Sequence, residues 1–273
     1  MNKILTVAMV LIIFFLTWSC EIFTDPGLEN PFDTTASEFI PPRTKIISGP
    51  DEQQTVNTHT VTFAWQGNET SAEYSFSLDS LEWSKWSVDT TATFSLLDEG
   101  SHMFQVKSRS PAEIEEDTAS VRSFIVDAVQ GPALMFFPRR VGVGTNNSFT
   151  LEIMAEEVSG LAGLSFEVPY NDPAIDFLDY DVFESSSAFL AKDNATVLTI
   201  VENDETDEVL KVALGRAGGT TSGVDGTGTL MNITFQFTGS SGIQINLQNC
   251  EMQNPQMQDI TINEVVECVI EVE

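Results

Sequence analysis

From Thr60 onward, apolar and polar residues alternate along the chain with a period of two. Runs of four to eight residues with this alternation, separated by turn-forming pairs such as Gly67-Asn68 and Glu99-Gly100, predict short β-strands joined by tight turns. The first half therefore predicts a β-sandwich of about seven strands over residues 43–128. The apolar positions that define it are Val61, Phe63 and Trp65; Tyr74, Phe76 and Leu78; Ala92, Phe94 and Leu96; and Phe104 and Val106.

The same period continues in the second half. Alternating runs begin at Phe149 and Leu164, and further strands are predicted within residues 175–178, 195–200, 209–214, 228–237, 243–247 and 265–272. The apolar run at residues 134–137 would be costly in an exposed linker, so we expect it to form the first strand of this half. The pattern predicts a second β-sandwich with jelly-roll connections over residues 132–273. The expected fold class is all-β.

The beginning of the chain has a different pattern. An apolar run over residues 4–18, followed by Ser19 and Cys20, predicts a secretory signal peptide over residues 1–19. The run is shorter than the roughly 20 residues that a bilayer span needs. The cysteine after a small residue resembles the lipobox of bacterial lipoproteins, which implies a lipid on Cys20 and attachment to a membrane. Ordinary cleavage and an uncleaved anchor are the alternatives, because Leu16 and Trp18 fit a lipobox only loosely.

Composition sets the expected location and excludes one class of partner. Residues 20–42 contain several prolines among acidic and small residues, which predicts a disordered tether behind the lipid. The formal net charge is −29, with 22 acids against 3 bases in residues 141–273. Such a surface repels phosphate backbones, so nucleic acid is not an expected partner. We expect an exported protein of the bacterial cell envelope.

The residue types that carry catalysis or bind metals are scarce. His59 and His102 are the only histidines, and both are expected at the surface or at strand edges. The acidic run over residues 202–208 lacks the ligand spacing of a calcium loop and predicts a hairpin tip. No catalytic residue, metal or cofactor is therefore predicted. Cys250 and Cys268 are a candidate disulfide in an oxidising compartment, the alternative being two reduced core thiols.

A run of motifs in the first half resembles a known module. Residues 74–79, the segment Glu82-Trp83-Ser84-Lys85-Trp86-Ser87 and residues 94–107 are similar to the fibronectin-III-like "triple tyrosine" module of bacterial sensors and surface proteins. The resemblance implies an immunoglobulin-like spacer or interaction module. Trp83 and Trp86 are candidate binding residues for a sugar or a protein, because aromatic faces suit both, the alternative being that at least one of them is core.

The second half resembles the cohesins. The residues that carry the resemblance are Phe149-Thr-Leu-Glu-Ile, Val158-Ser-Gly-Leu-Ala-Gly-Leu-Ser-Phe-Glu-Val, Tyr170-Asn-Asp-Pro-Ala-Ile-Asp-Phe and Gly226-Thr-Gly-Thr-Leu-Met-Asn-Ile-Thr-Phe. Gly226 and Gly228 are expected to permit a turn with positive φ that opens a strand. The resemblance implies a jelly-roll module that binds dockerins, small calcium-loaded helical domains, through one sheet face.

Two positions on the predicted binding face depart from the family. Where dockerin-binding cohesins carry Asn and Asp, this chain has Gly163 and Ser165, which we take as candidate binding residues. The prediction is a non-enzymatic lipoprotein that presents a cohesin-like module to a protein partner, dockerin-like or another envelope protein. The alternative is a carbohydrate-binding module for a polysaccharide. It is disfavoured because residues 132–273 contain no Trp, and Tyr170 and Tyr180 are their only tyrosines.

Overall fold

The computed structural model describes residues 34–36, 39–218 and 222–272. The predicted signal peptide, Cys20 and the first part of the predicted tether, together with residues 37–38, lie outside these ranges. Within them the chain folds almost wholly into strands, with one short 3-10 helix, so the all-β prediction is confirmed. Across the described ranges no helix is long and apolar enough to cross a bilayer.

Short loops and turns connect the strands along the chain. In sequence order the elements are β1 (Thr44–Ser48), β2 (Gln54–Val56), β3 (Val61–Gly67), β4 (Glu73–Leu78), β5 (Thr91–Phe94), β6 (Gly100–Arg109), β7 (Ser120–Val126), β8 (Ala133–Phe137), β9 (Arg140–Val143), β10 (Ser148–Leu161), β11 (Gly163–Pro169), β12 (Ile175–Val182), η1 (Phe189–Asn194), β13 (Thr196–Asp204), β14 (Val209–Ala217), β15 (Val224–Phe237), β16 (Ile243–Ile245), β17 (Gln248–Gln253), β18 (Glu264–Val266) and β19 (Cys268–Val272).

The first seven strands form two sheets around one aromatic core. The sheets have the orders β1-β3-β5 and β2-β7-β6-β4. Phe63 and Trp65 on β3 and Phe104 on β6 are almost fully buried, on the faces that the alternation predicted. The predicted alternation ends early at one point, because Leu96 follows β5 with a φ of 57° and Leu97 takes the buried position instead.

The remaining strands form three sheets around a second core. The orders are β12-β15-β10-β8-β18, β13-β14-β11-β17 and β16-β19-β9. Inward side chains from all three sheets belong to one cluster of buried residues, among them Leu151, Phe166 and Ile270. The predicted first strand is β8, whose residues are buried because it lies between β10 and β18. The long strand β10 pairs with β15 along nearly its whole length, and the two strands form the centre of the five-stranded sheet.

The two glycines expected to open a strand both lie inside β15 instead. Gly226 does have a positive φ, 100°, which a residue with a side chain adopts only with strain. Gly228 does not: a Cβ atom there would overlap the ring of Phe189 on η1. The missing side chain of Gly228 allows η1 to pack directly on β15. The prediction of a positive φ at this residue was wrong.

The first core and the second are joined by hydrogen bonds from one acidic turn. Glu99 accepts hydrogen bonds from the backbone N–H groups of Ala128 and Val129, at 3.0 and 3.1 Å. The neighbouring Asp98 accepts one at 2.6 Å from the N–H of Arg139, beyond β8. The turn between β5 and β6 therefore holds both ends of the segment that leads into the second core.

Candidate functional site

One exposed sheet face of the second sandwich forms a groove. Alternation along β11 and β14 turns Leu164, Phe166 and Val212 inward, so the residues between them face outward. Register places these outward residues side by side in rows across the sheet. One row is Leu198, Gly215, Gly163 and Gln253, and the next is Ile200, Ala213, Ser165 and Glu251.

The two central strands contribute the floor of the groove. Every floor position on β11 and β14 in these two rows is Gly, Ala or Ser. A cavity of about 820 Å³ lies over this floor, bounded at the far side of β17 by residues 254–257. Because the floor side chains are so small, backbone and Cβ atoms lie within reach of anything that enters the groove.

Exposed apolar side chains project outward on either side of the floor, and of these Met257 lines the cavity itself. On β13, Leu198 is 55% exposed and Ile200 is 71% exposed, and across the groove Met257 is 76% exposed. Single exposed apolar residues are common on protein surfaces, whereas a contiguous apolar patch marks an interaction site. Here Leu198 and Ile200 are neighbours on the same face of an edge strand, directly beside the small-residue floor.

The cavity lining contains two charged side chains, Arg216 and Glu251. Arg216 donates a hydrogen bond to the carbonyl of Lys192 at 2.9 Å. Lys211 is engaged by Asp204 at 2.8 Å, an ion pair that lowers the pKa of the aspartate and raises that of the lysine. Glu251, on the rim of the cavity, makes no side-chain hydrogen bond or ion pair to the described residues. The floor positions on β11 and β14 are uncharged, and Glu251 lies beside Ser165 on β17.

The structure brings together the two positions that the sequence singled out on this face. Gly163 and Ser165 both line the groove, two residues apart on β11. Their neighbours Ala213, Gly215 and the exposed pair on β13 were not predicted, because they come from a hairpin whose register the sequence does not give. The available signal was the exposed half of the alternating run Leu198-Thr-Ile200, where apolar residues occupy the face that does not enter the core.

The two tryptophans of the first sandwich lie at its surface. Trp83 is 40% exposed and Trp86 is half-buried, and neither belongs to the aromatic core. The Lys107 ammonium lies 4.9 and 5.3 Å from the two ring centroids, and the Arg109 guanidinium lies 4.8 Å from that of Trp86. The rings and cations therefore alternate along one face and stabilise each other through cation–π contacts. A binding role for the two rings stays a prediction.

The structure differs from two expectations about cysteine and histidine. Cys250 and Cys268 are free thiols, which was the alternative to the candidate disulfide. Burial raises the pKa of Cys250 to about 11 and that of Cys268 to about 12, so both stay protonated and unreactive at neutral pH. His102, expected at the surface, is buried beneath Phe124 and hydrogen-bonded to Asp79.

The structure gives no sign of a metal centre in the ranges it describes. No group of three or more His, Cys, Asp or Glu side chains there is arranged to hold an ion. The acidic run at residues 202–208 forms the end of β13 and the turn into β14, as predicted.

No protein-family model matches the chain, and no curated protein is similar to it in sequence. Among solved structures, the sixth cohesin of scaffoldin B from Acetivibrio cellulolyticus, in complex with a Cel5 dockerin mutant, is 17% identical, with a TM-score of 0.39 over 53% of this chain and 100% of that one. The type II cohesin A11 from Bacteroides cellulosolvens is 13% identical, with a TM-score of 0.37 over 52% and 99%.

A Bacteroides ovatus protein of a mixed-linkage glucan utilization locus, SGBP-B in complex with a heptasaccharide, is 11% identical. Its TM-score is 0.28 over 85% of this chain and 70% of that one. Scores of this size do not establish a shared fold. The architecture described above therefore rests on the strand pairing and the two cores, and the function rests on the groove.

Proposed function

We propose that the chain is a non-enzymatic binding protein whose groove on the β13-β14-β11-β17 face takes a helical segment of a protein partner. The observation that carries the proposal is the floor of small residues with exposed apolar side chains on both sides of it. A partner that buries Leu198, Ile200 and Met257 removes apolar surface from water, at roughly 25 cal/mol per Å². The floor itself is uncharged, so among the described residues the only charges that a partner has to pair in this cavity are those of Arg216 and Glu251.

The width of the groove favours a helix over an extended strand. Adjacent strands lie about 4.8 Å apart, so β13 and β17 are roughly 14 Å apart across β14 and β11. An α-helix with its side chains is about 10–12 Å across, which fits between the edges and rests on the Gly, Ala and Ser floor. Amphipathic helices bind in apolar grooves of this kind through residues spaced three and four apart.

Filling the groove is expected to weaken partner binding without unfolding the protein. Ser165→Tyr places a ring over the floor, pointing away from the core, and is expected to weaken binding by about tenfold or more. Thr150→Tyr, on the exposed face of the opposite sheet, is the matched control. A photoreactive phenylalanine analogue at Ile200, used in the organism's own cells, identifies the partner, and affinity for the purified partner is then measured by calorimetry.

Two results would contradict this assignment of the groove. One is a Ser165→Tyr protein that keeps both its melting temperature and its affinity for the crosslinked partner. The other is equal crosslinking of that partner from analogues at Ile200 and at Thr150. The partner must also contact the groove through a helix, which a structure of the complex shows directly.

We also propose that the protein is a lipoprotein of the bacterial cell envelope, anchored through Cys20 with residues 20–42 as its tether. Support comes from the sequence of residues 1–20 and from the two sandwiches in series that follow. Mass spectrometry of the mature N-terminus is expected to find Cys20 as the first residue, carrying acyl chains. A mature N-terminus beyond residue 20, or an unmodified cysteine, would refute the anchor.

A further inference from the structure

A row of aromatic side chains lies at the open edge of the second sandwich, away from the groove. Tyr170 and Phe177 stack with ring centroids 5.4 Å apart, and Phe177 and Tyr180 with centroids 6.5 Å apart. The row is accessible because β12 is an edge strand, and Tyr180 is 39% exposed. The only two tyrosines of residues 132–273 are thus brought together around one phenylalanine.

A cavity of about 400 Å³ lies at one end of this row. Tyr170 and Phe177 line it on one side and the tip of the β13–β14 hairpin lines it on the other. The two sides are tied together, because the Tyr170 hydroxyl donates to Asn203 Oδ1 and its backbone N–H donates to the carbonyl of Glu208 at 2.8 Å. The walls are therefore already in place before any ligand enters.

The lining of this cavity carries negative charge alone. Its acids are Asp172, Asp176, Glu205 and Glu208, and no Lys, Arg or His lines it. Of these four carboxylates, only that of Asp172 accepts a hydrogen bond from a described residue, the N–H of Ala174 at 2.9 Å. The nearby Lys211 is engaged by Asp204. Burial of the ring raises the pKa of Tyr170, and the negative charges of Glu205 and Glu208 raise it further.

The arrangement suits an organic cation better than a metal ion. Metal binding needs several oxygens converging on one point, and the described residues include no such group. An ammonium or guanidinium on an alkyl stem is larger, and it gains from both parts of the cavity. Its charge is attracted by aromatic faces and by the unpaired carboxylates, while its methylene groups cover the rings.

We propose that this cavity receives a lysine or arginine side chain of the protein partner. The inference rests on the proposed function, since the side chain belongs to the protein whose helix occupies the groove. Charge complementarity supports it, because residues 141–273 carry 22 acids against 3 bases and attract a basic surface. The groove then supplies apolar contact area, and the cavity selects partners that also present a basic residue at the tip of the β13–β14 hairpin.

The three tyrosines of the chain make a direct test practical. In the intact protein with ¹³C-labelled tyrosine, NMR titration with Nα-acetyl-lysine methylamide and Nα-acetyl-arginine methylamide is expected to shift the signals of Tyr170 and Tyr180. Tyr74, in the core of the first sandwich, is the internal reference. The uncharged analogue Nα-acetyl-norleucine methylamide is expected to bind at least about fivefold more weakly, because it lacks the charge.

Removing carboxylates from the cavity lining tests whether the cation binds in this cavity or is attracted by the negative charge of the whole protein. The double variant Glu205→Gln, Glu208→Gln is expected to weaken lysine amide binding by about tenfold at low salt. The control Glu69→Gln, Glu82→Gln makes the same change in net charge at two exposed acids of the first sandwich, and is expected to leave binding unchanged.

Each of several results overturns the inference: equal binding of the norleucine amide, equal weakening in both double variants, or shifts confined to Tyr74. Shifts of Tyr170 and Tyr180 by a neutral glucose hexasaccharide and not by the lysine amide would assign the row to a sugar and also overturn it. Failure here leaves the proposed function intact if Ser165→Tyr still weakens partner binding. If the lysine amide shifts the signals of Tyr170 and Tyr180 but Ser165→Tyr leaves the affinity for the partner unchanged, the proposed role of the groove is refuted instead.

Discussion

Replacing Phe104 with alanine is expected to destabilise the first sandwich by about 3–5 kcal/mol. The Phe104 ring is fully buried and stacks on Phe63 with centroids 4.1 Å apart. Three further rings lie within 6.3 Å of it, those of Trp65, Phe76 and Phe94. Domains of this size are stable by only about 5–15 kcal/mol, so the loss leaves the first sandwich marginally folded.

Calorimetry tests this prediction and the division of the chain into two units together. If the cores unfold separately, Phe104→Ala lowers the melting temperature of the first sandwich and leaves that of the second unchanged. Phe235→Ala, which removes a buried ring from the second core, is the matched control and is expected to do the reverse. A single transition that falls equally in both variants would contradict the division into units at residues 128–132.

The stability of the first sandwich is expected to fall as the pH rises above neutral, because of His102. Its Nδ1 lies 2.7 Å from Asp79 Oδ2, and its Nε2 lies 2.8 Å from the backbone carbonyl of Asp98. Both partners are hydrogen-bond acceptors, so both ring nitrogens must donate, which only the protonated imidazolium does. The hydrogen bond to Asp79 raises the pKa of His102, and burial beneath Phe124 opposes that effect.

The sign of the pH dependence follows from that direction. A group whose pKa is higher in the folded protein than the roughly 6.5 of an unfolded chain contributes its full stabilisation below that value. The contribution is lost as the pH rises through the folded pKa. Charge-assisted hydrogen bonds set its scale at about 1.5–3 kcal/mol as an upper bound.

Urea unfolding between pH 5 and pH 9, followed by the fluorescence of buried Trp65, measures the effect. His102→Gln is expected to remove the pH-dependent part, whereas the control His59→Gln, at a half-buried site, keeps it. The prediction fails if wild type and His102→Gln lose stability in parallel across that range. His102 is hydrogen-bonded to the carbonyl of Asp98, and the carboxylate of Asp98 accepts a hydrogen bond from the N–H of Arg139, so deprotonation of His102 is expected to weaken the junction between the two cores as well.

The alternation of apolar residues predicted most of the strands, since it reflects which face of each strand is buried. It missed β1, β2, β9 and β17, and it gave β18 and β19, which lie in different sheets, as one strand. It located β3, β6 and β11 because one side of each faces a core. Periodicity does not show features that depend on a single distant contact. The packing of η1 on Gly228 and the burial of His102 against Asp79 are of this kind.

The candidate site was predicted only in part, for a related reason. Gly163 and Ser165 lie on one strand, and their place on an outward face follows from alternation alone. The groove also needs β13 and β14 to pair beside β11 in one register. Their residues lie roughly 35 to 50 positions further along the chain. That register depends on long-range pairing, and a shift of one residue would turn Leu198 and Ile200 toward the core.

The second sandwich is closed by pairing between its beginning and its last strands. Ala133 on β8 pairs in parallel with Glu264 on β18, and Arg140 on β9 pairs with Val269 on β19. Such pairs close a loop of almost the whole unit, so their contacts have a very high sequence separation, which slows folding. The second sandwich cannot finish folding until its last strands have been synthesised. Until β18 pairs with β8, that edge of β8 can pair with other chains.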